Sequence, residues 1–340
     1  MRTREHLDAV IKAYDVRGVV GEDIDENFVR DTGAAFAAIL REEGENTVAV
    51  GHDMRPSSPS LARAFAEGVT SQGLNVTLLG LTSTDELYYA AGSLECAGAM
   101  FTASHNPAKY NGIKLCRAGA VPVGQETGLE QIKQMLIDGT PEFTGTEGAI
   151  AEQEILAGYA DFLRKLVPLE DSKPLVVAVD AANGMGGHTV PAVFNGLPFD
   201  VRDLYFELDG TFPNHEANPL DPKNLVDLQK FTVDQKADIG LAFDGDADRC
   251  FVVDEKGQPV SPSAICALVA ERYLEKFPGA TIIHNLITSK TVPELIKEKG
   301  GTPVRTRVGH SFIKAVMAEE SAVFGGEHSA HYYFSEFYNA

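Results

Sequence analysis

Long apolar runs are missing from this sequence, and no stretch approaches the roughly 18 consecutive apolar residues that a membrane-spanning helix needs. The first six residues contain two arginines, a glutamate and a histidine, and no apolar segment typical of a signal peptide follows them. We therefore expect neither a signal peptide nor a membrane partner.

Positive charge is also scarce. Lys and Arg number 29 against 49 Asp and Glu, so the net charge at neutral pH is -20. Nucleic acids and anionic membrane surfaces repel such a chain, and we expect neither as a partner. A phosphorylated small molecule would have to be held by a local group of basic side chains.

Cysteine is rare, and no pair has the C-x-x-C spacing. The residues Cys96, Cys116, Cys250 and Cys266 each lie in or beside an apolar stretch. This pattern predicts buried, reduced thiols and a cytoplasmic protein.

A hydroxyl group at the end of an apolar run is the first candidate for chemistry. Residues 97–101 predict a buried strand, and the Asn106-Pro107 pair turns the chain directly after it. Ser104 would then lie on a loop at the end of the strand, where it can act as a nucleophile. The alternative is that Ser104 only closes a turn or caps a helix.

Three carboxylates at alternate positions form the second candidate. In extended chain Asp244, Asp246 and Asp248 face the same side and can converge on one point. Two like charges about 4 Å apart repel by about 4 kcal/mol at an effective dielectric of about 20. A cation would remove this repulsion, and hard oxygen ligands suit Mg²⁺.

Two other interpretations of the acidic loop were weighed. An EF-hand starting at Asp244 needs glycine at its sixth position, where the chain has Arg249, and helices on both sides, where the pattern predicts strands. A solvated acidic turn between two hairpin strands stays open.

Together the motifs resemble those of the α-D-phosphohexomutases, in particular the phosphomannomutase/phosphoglucomutase group. That family has a phosphoserine loop T-[GA]-S-H-N-P, a metal loop D-G-D-[GA]-D-R and a sugar loop G-E-x-S-[GA]-H. This chain has all three in that order, at residues 102–107, 244–249 and 326–331. The resemblance implies a mutase that moves a phosphoryl group between C6 and C1 of a hexose phosphate, with phosphoserine at Ser104, Mg²⁺, and glucose 1,6-bisphosphate as activator.

The resemblance also implies roles for individual residues. Ser104 would join the three aspartates as a metal ligand, and Arg249 would neutralise a phosphate oxygen. Arg17, in Y-D-x-R-G, would face the active site. Lys114 and His310 would act as acid/base or phosphate-steering residues, although a loop lysine and a histidine at a helix start are more often solvated or capping residues.

Sugar recognition would fall to the third loop. Glu327 and Ser329 resemble the pair that hydrogen-bonds the 3- and 4-hydroxyls of the sugar, so no residue would recognise the substituent at C2. His331 fits the same motif. Lys290, in Thr-Ser-Lys, is carried over as a further substrate-binding residue.

The order of strand and helix patterns predicts three consecutive, similar α/β sandwich modules with mixed, largely parallel sheets around a shared cleft. We place a phosphoserine domain at 1–147, a metal-binding domain at 148–255 and a sugar-recognition domain at 256–340. Helices are predicted at 58–71, 84–94, 152–167, 262–275, 291–299 and 309–318, and strands at 47–50, 75–79, 97–101, 175–179, 238–243, 250–254, 281–285, 303–306 and 322–324. The glycine-rich stretch 180–187 lacks G-x-G-x-x-G spacing, which favours a strand-to-helix turn over a dinucleotide site.

Family members usually continue into a fourth domain with a phosphate-clamping R-x-S-x-[TN]-E-P loop, which these 340 residues do not contain. We therefore expect a chain that binds metal and carries phosphate on Ser104 but turns hexose phosphates over poorly. We expect it to be a monomer or a weak dimer. Phosphoglucosamine mutase and a non-catalytic module that binds metal or sugar phosphate are the alternatives.

Overall fold

The protein is described by a computed structural model, which covers residues 3–338. The chain forms two compact units. The first contains the residues up to 159 together with the short segment 209–213, and the second contains 160–208 and the residues from 214 onwards.

The first unit is a seven-stranded sheet covered by helices. Its helices are α1 (Arg4–Val10), α2 (Glu26–Glu42), α3 (Ser58–Ser71), α4 (Thr84–Ser93) and α5 (Leu129–Asp138). Its strands are β1 (Val16–Val19), β2 (Thr47–His52), β3 (Asn75–Leu81), β4 (Ala97–Phe101), β5 (Tyr110–Arg117), β6 (Val121–Pro122) and β7 (Ile150–Glu152). Helix α6 (Leu156–Leu166) starts in this unit and continues into the second.

The strands of this sheet run in the order β1-β5-β4-β2-β3-β7, with β6 paired to β5. Strands β4, β2, β3 and β7 are parallel, whereas β5 is antiparallel to β4 and β1. Val48 and Val50 pack with α2, α3 and α5, while Ala49 between them packs with α4 on the other face. The alternation of side chains along a strand thus gives the sheet two buried faces.

Two glycines let α2 and α3 pack backbone against backbone. A Cβ atom added to Gly33 would lie 2.4 Å from the carbonyl oxygen of Phe65, and one added to Gly68 would lie 1.9 Å from that of Arg30. Neither distance leaves room for a side chain. The crossing therefore requires glycine at both positions, for reasons of space rather than backbone conformation.

The second unit contains two smaller sheets. Its helices after α6 are α7 (Gly186–Val193), α8 (Val226–Asp234), α9 (Pro262–Lys276), α10 (Thr291–Glu298) and α11 (His310–Glu319). Its strands are β8 (Leu175–Asp180), β9 (Phe199–Leu204), β10 (Ile239–Phe243), β11 (Cys250–Asp254), β12 (Pro259–Val260), β13 (Thr281–Asn285), β14 (Thr302–Thr306), β15 (Phe324–Gly326) and β16 (Tyr332–Phe334).

All three sheets contain the same four-strand arrangement. The first has β3-β2-β4-β5, the second β9-β8-β10-β11 and the third β14-β13-β15-β16. In each, three parallel strands are followed by one antiparallel strand. Each candidate motif of the sequence is the loop that joins the third parallel strand to its antiparallel neighbour.

The predicted fold class of three α/β modules with mixed, largely parallel sheets is confirmed. The boundaries predicted for 58–71, 97–101, 250–254 and 281–285 match α3, β4, β11 and β13. The helix predicted from residue 152 starts only at Leu156, because Ile150–Glu152 pairs with β3 as a strand. The strand predicted at 322–324 lies two residues later, at Phe324–Gly326. The three domain boundaries stay a prediction.

The sequence predicts buried cysteines and no membrane-spanning helix. Cys96, Cys116 and Cys266 are buried and Cys250 is partly buried, and burial raises the pKa of the Cys96 thiol to about 11. The Cys96 thiol therefore stays protonated at neutral pH. Among residues 3–338, no helix is both long and apolar enough to cross a membrane.

Candidate active site

Ser104 lies in a tight loop between β4 and β5, which the chain crosses without forming a helix. Its backbone is left-handed, with φ of 48°, and the residue is only 3% exposed. The Ser104 N–H donates to Thr102 Oγ1 at 2.9 Å, and its Oγ lies 3.2 Å from His105 Nδ1. A strained, buried backbone at the end of a sheet is typical of a reactive residue, and helix capping is excluded.

Arg55, which the sequence analysis assigned no role, supports this loop from within. The side chain is 1% exposed, and its guanidinium donates to four main-chain carbonyls of the segment that follows β4. The acceptors, at 2.7 to 3.0 Å, are the oxygens of Ser104, Asn106, Pro107 and Tyr110. Asp53 balances the charge through Oδ2, 3.1 Å from Nε.

Arg17 contacts the same loop from β1. Its Nη1 donates to the Ala103 carbonyl at 2.7 Å and to Asn106 Oδ1 at 3.0 Å, while Nη2 pairs with Asp15 at 2.6 Å. The sequence placed Arg17 toward the reactive serine, and these contacts put it on the peptide unit directly before Ser104.

Lys114 lies in the middle of β5, opposite Met100 of β4, and is 8% exposed. Its Nζ is 3.4 Å from Thr84 Oγ1 at the first turn of α4. Lys114 was expected to lie on a loop; it is instead held in a buried strand, which fixes the direction of its ammonium group.

The acidic loop joins β10 to β11 in the second unit. Its three carboxylates each offer an oxygen within 4.8 Å of the others, and Asp244 and Asp246 are fully buried. Burial and the charges of Asp248 and Asp246 raise the pKa of Asp244 to about 8. The flanking strands form an antiparallel hairpin, so an EF-hand is excluded, and the burial makes the solvated-turn interpretation wrong.

This donor set fits a hard divalent cation. Two fully buried carboxylates need a counter-charge, and Arg249 supplies part of it through Nε, 3.4 Å from Asp244 Oδ2. The Arg249 N–H also donates to Asp244 Oδ1 at 3.2 Å. A bound divalent cation would add to the positive charge that Arg249 places beside these carboxylates.

A glycine turn that the sequence analysis interpreted correctly supports the acidic loop. It joins β8 to α7, and Met185 N–H donates to the carbonyl of Gly245 at 2.9 Å. A Cβ atom on Gly184 would lie 2.7 Å from that same oxygen. Glycine is needed here because the two backbones approach so closely.

Glu327 is a buried carboxylate in the loop between β15 and β16, 2% exposed. It accepts hydrogen bonds from Asn285 Nδ2 at 3.0 Å and the Tyr333 hydroxyl at 2.8 Å, and His331 Nδ1 lies 3.3 Å away. Burial opposes its ionisation, but these partners outweigh burial and lower its pKa to about 2. Glu327 is therefore a fixed, negatively charged acceptor.

His331 connects the third motif with the acidic loop. Burial and Arg249 lower its pKa, but Asp248 and Glu327 outweigh them and raise it to about 9. His331 Nε2 lies 3.3 Å from Asp248 Oδ1 and 3.2 Å from Arg249 Nε, and Nδ1 lies 3.3 Å from Glu327 Oε2. The second unit thus brings Asp248, Arg249, Glu327 and His331 together.

The remaining predicted residues of this unit are Ser329, His310 and Lys290. Ser329 Oγ is 3.0 Å from His331 Nδ1. His310 starts α11, and the N–H of the preceding Gly309 donates to Glu327 Oε1 at 3.3 Å. Lys290 is exposed and precedes α10.

The sequence analysis missed two supporting residues of this unit. Asn285, at the carboxyl end of β13, is fully buried and orients Glu327. Ser263 Oγ lies 2.9 Å from His328 Nδ1 and accepts from the Ser289 N–H at 3.1 Å. The position of Asn285 at a strand end was the only available signal; Ser263 gave none.

Three α/β sheets, a buried serine, an acidic triad and a buried carboxylate–imidazole pair define a class of enzyme that transfers phosphoryl groups on small hydroxyl compounds. Comparison with known proteins gives the family. The sequence matches the alpha/beta/alpha domains I, II and III of phosphoglucomutase/phosphomannomutase, at residues 8–141, 157–257 and 261–340. The chain belongs to the phosphoglucomutase/phosphomannomutase family.

Individual relatives and solved structures of this family are similar to the chain over nearly all of its length. A phosphomannomutase of Salmonella montevideo is 38% identical over 334 residues, which are 96% of this chain and 73% of the relative. The structure of a phosphoglucomutase/phosphomannomutase family protein from Burkholderia thailandensis superposes with a TM-score of 0.92 at 32% identity, covering 99% of this chain and 73% of that one. A putative phosphomannomutase from Thermus thermophilus gives a TM-score of 0.87 at 28% identity, covering 96% and 75%. The chain is a phosphohexomutase, an intramolecular phosphotransferase, as the motifs predicted.

Proposed function

We propose that this phosphohexomutase moves a phosphoryl group between C6 and C1 of mannose and glucose phosphates, through phosphoserine at Ser104 and a hexose 1,6-bisphosphate. The observation that carries the proposal is the buried acidic triad, whose oxygens fit a divalent cation and which lies beside the Arg249 guanidinium. His331 contacts both Asp248 of this triad and the carboxylate of Glu327. The names of the relatives, phosphomannomutase among them, support the substrate class.

In each half-reaction one P–O bond forms as another breaks. A hexose hydroxyl oxygen attacks the phosphorus of phosphoserine 104, the bond from phosphorus to Ser104 Oγ breaks, and the hydroxyl proton passes to a base. The reverse transfer takes the other phosphate of the bisphosphate back to Oγ. Lys114 and His310 are the residues to which we assign acid/base or phosphate-steering roles, and Arg17 fixes the peptide unit before Ser104.

Asp244, Asp246, Asp248 and an oxygen of Ser104 are the proposed ligands of Mg²⁺. When bound, the ion supplies positive charge that stabilises the transferring phosphoryl group. Arg249 neutralises a further phosphate oxygen, and the contact of its Nε with Asp244 Oδ2 at 3.4 Å fixes the direction of its side chain. Glucose 1,6-bisphosphate acts as activator because it restores the phosphate on a bare Ser104.

Substrate recognition is assigned to the third motif. Glu327 and Ser329 accept from the 3- and 4-hydroxyls, with His331 and Lys290 as further contacts. A buried acceptor that needs its hydrogen bond discriminates strongly at that hydroxyl and weakly elsewhere. Because no residue is assigned to C2, glucose and mannose phosphates are both expected to react.

We also propose the domain division 1–147, 148–255 and 256–340, a cytoplasmic location and a monomer or weak dimer. Buried, protonated thiols support the location, because reduced cysteines persist in that compartment.

Intact-mass spectrometry of the 340-residue chain tests the proposal. With Mg²⁺ and glucose 1,6-bisphosphate, we expect one added phosphoryl group that maps to Ser104 and is lost when mannose 6-phosphate or glucose 6-phosphate is added. Ser104→Ala is the matched control and should gain no mass. Phosphate that appears on another residue, or on none, would refute the assignment of Ser104.

A further inference from the structure

The short segment 209–213 contacts the arginine that supports the Ser104 loop. Arg55 has five N–H groups, and all five point to acceptors in the plane of the guanidinium, namely one carboxylate and four carbonyls. Only the two faces of the guanidinium remain for other contacts. Phe212 covers one of them, with its ring centroid 5.1 Å from Arg55 Cζ.

A strained turn presents this ring. Phe212 has a left-handed backbone with φ of 54°, which is rare for a large side chain and persists only where the surroundings fix it. Asp209 fixes it here, because its Oδ1 accepts from the N–H and hydroxyl of Thr211 at 2.9 and 2.7 Å. The carbonyl of Asp209 also accepts from the Phe212 N–H at 3.0 Å.

The backbone of the segment lies directly against Arg55. Gly210 is buried, and a Cβ atom on it would lie 2.5 Å from Arg55 Cα and 2.9 Å from Pro56 Cδ. Phe212 above the guanidinium and Gly210 against the main chain therefore hold the arginine at both ends.

The chain on either side of the segment is fixed by one residue of the second unit. Asn183 donates from Nδ2 to the carbonyl of Glu207 at 2.8 Å, and its Oδ1 accepts from Asn214 Nδ2 at 2.9 Å. The next residue, His215, pairs with Asp180 at 3.0 Å. Glu207 and Asn214, which flank the segment in the chain, are therefore joined through Asn183 within the second unit.

We propose that residues Asp209–Pro213 form a clamp that positions the Ser104 loop for phosphoryl transfer. Phe212 and Gly210 hold Arg55, and Arg55 holds the carbonyls of Ser104 and Asn106, so the clamp fixes the direction of the Ser104 side chain. Phe212 acts through Arg55 and is a positioning residue. The proposal rests on the proposed role of Ser104 as phosphoryl carrier.

Single-turnover kinetics of the phosphorylated chain test the clamp. Loss of phosphate from Ser104 on mixing with glucose 6-phosphate is followed by rapid quench and mass spectrometry. We expect Phe212→Ala to slow this step about tenfold, because small misplacements of reacting groups cost large factors in rate. The sugar concentration for half-maximal rate should not change, since the clamp does not contact the sugar. Phe212→Tyr keeps the ring face and should retain the wild-type rate.

Phe143 offers a matched control. Its ring covers Arg41 with the centroid 4.6 Å from Cζ, also in the first unit, and Arg41 donates to Gln72 rather than to the Ser104 loop. Phe143→Ala removes the same kind of contact and should leave the transfer rate unchanged. If Phe212→Ala does not fold, Gly210→Ala takes its place, since it displaces the clamp from Arg55 while Phe212 is kept.

Each outcome decides the question. A slow Phe212→Ala with normal Phe143→Ala and Phe212→Tyr supports the clamp. Wild-type transfer rates in both Phe212→Ala and Gly210→Ala overturn the clamp. Equal losses of transfer rate and melting temperature in Phe212→Ala and Phe143→Ala also overturn it, because they indicate a stability effect alone. If the wild-type chain never carries phosphate on Ser104, the proposed function itself fails and the clamp falls with it.

Discussion

Removing one charge from the acidic triad should make the cation-free protein more stable, although it removes a proposed metal ligand. The substitution is Asp246→Asn, which keeps the shape of the side chain. Asp246 is fully buried, and each pair of the three carboxylates has oxygens no more than 4.8 Å apart. An ordinary substitution of a buried hydrogen-bonded aspartate destabilises, so the sign of the change is the test.

The magnitude follows from these distances. At 4.8 Å two unit charges repel by about 3.5 kcal/mol at an effective dielectric of about 20. Asp246 takes part in two of the three pairs, so about 7 kcal/mol of repulsion, calculated at this separation, disappears with its charge. Arg249 and the protonation of Asp244 already relieve part of this, and we expect a net gain of about 2 kcal/mol.

The stability of the cation-free protein should change with pH in a defined direction. Burial and the neighbouring carboxylates raise the pKa of Asp244 to about 8, above that of an unfolded aspartate. The unfolded chain therefore releases this proton first, and the cation-free protein loses stability as the pH rises from about 4 to about 8. The gain from Asp246→Asn should be larger at pH 8.5, where most of Asp244 is ionised, than at pH 6.

Thermal unfolding of the wild type, Asp246→Asn and the exposed control Glu255→Gln would be recorded in EDTA and in Mg²⁺. In EDTA at pH 8.5 we expect Asp246→Asn to unfold several degrees above the wild type and Glu255→Gln to match it. Mg²⁺ should raise the melting temperature of the wild type and of Glu255→Gln, with little effect on Asp246→Asn. An Asp246→Asn protein that melts below the wild type in EDTA, or gains as much from Mg²⁺, would refute the argument.

Three further predictions concern packing and support of the loops. Gly68→Ala should lower the free energy of unfolding by about 2 kcal/mol, because the added methyl group has no space against α2. Ser60→Ala on the exposed face of α3 should change the free energy of unfolding little, and chemical denaturation measures both variants. Arg55→Lys should slow phosphoryl transfer to and from Ser104 with little change in Mg²⁺ affinity, because one ammonium cannot reach four carbonyls; single-turnover rates and Mg²⁺ titration separate the two. Asn285→Ala should raise the KM for hexose phosphate several-fold by loosening Glu327, and an unchanged KM would contradict the orienting role.

The sequence identifies the loops of this site well because each of them follows a short apolar strand. Ala97–Phe101 is fully buried and reads as a continuous apolar run, so the loop that carries Ser104 could be located. The alternate spacing of the three aspartates likewise predicts their convergence, since the loop between β10 and β11 keeps them within reach of one cation.

What the sequence does not reveal are the contacts between segments far apart in the chain. Arg55 is 49 residues from the carbonyl of Ser104 that it holds, and Asn285 is 42 residues from Glu327. No local pattern records such hydrogen bonds. The strand Ile150–Glu152 was missed for a similar reason, because a stretch of only three residues becomes a strand by pairing with β3.

The repetition of one four-strand arrangement has a consequence for design. The proposed function assigns each chemical task to a separate loop on its own copy of the same arrangement, so the third loop can be changed while the phosphoserine loop is kept. A library confined to residues 327–331 would explore new sugars on an untouched phosphoserine loop. In each sheet this loop connects the same two strands, so loops of relatives can be grafted at this position without changing the strands that hold them.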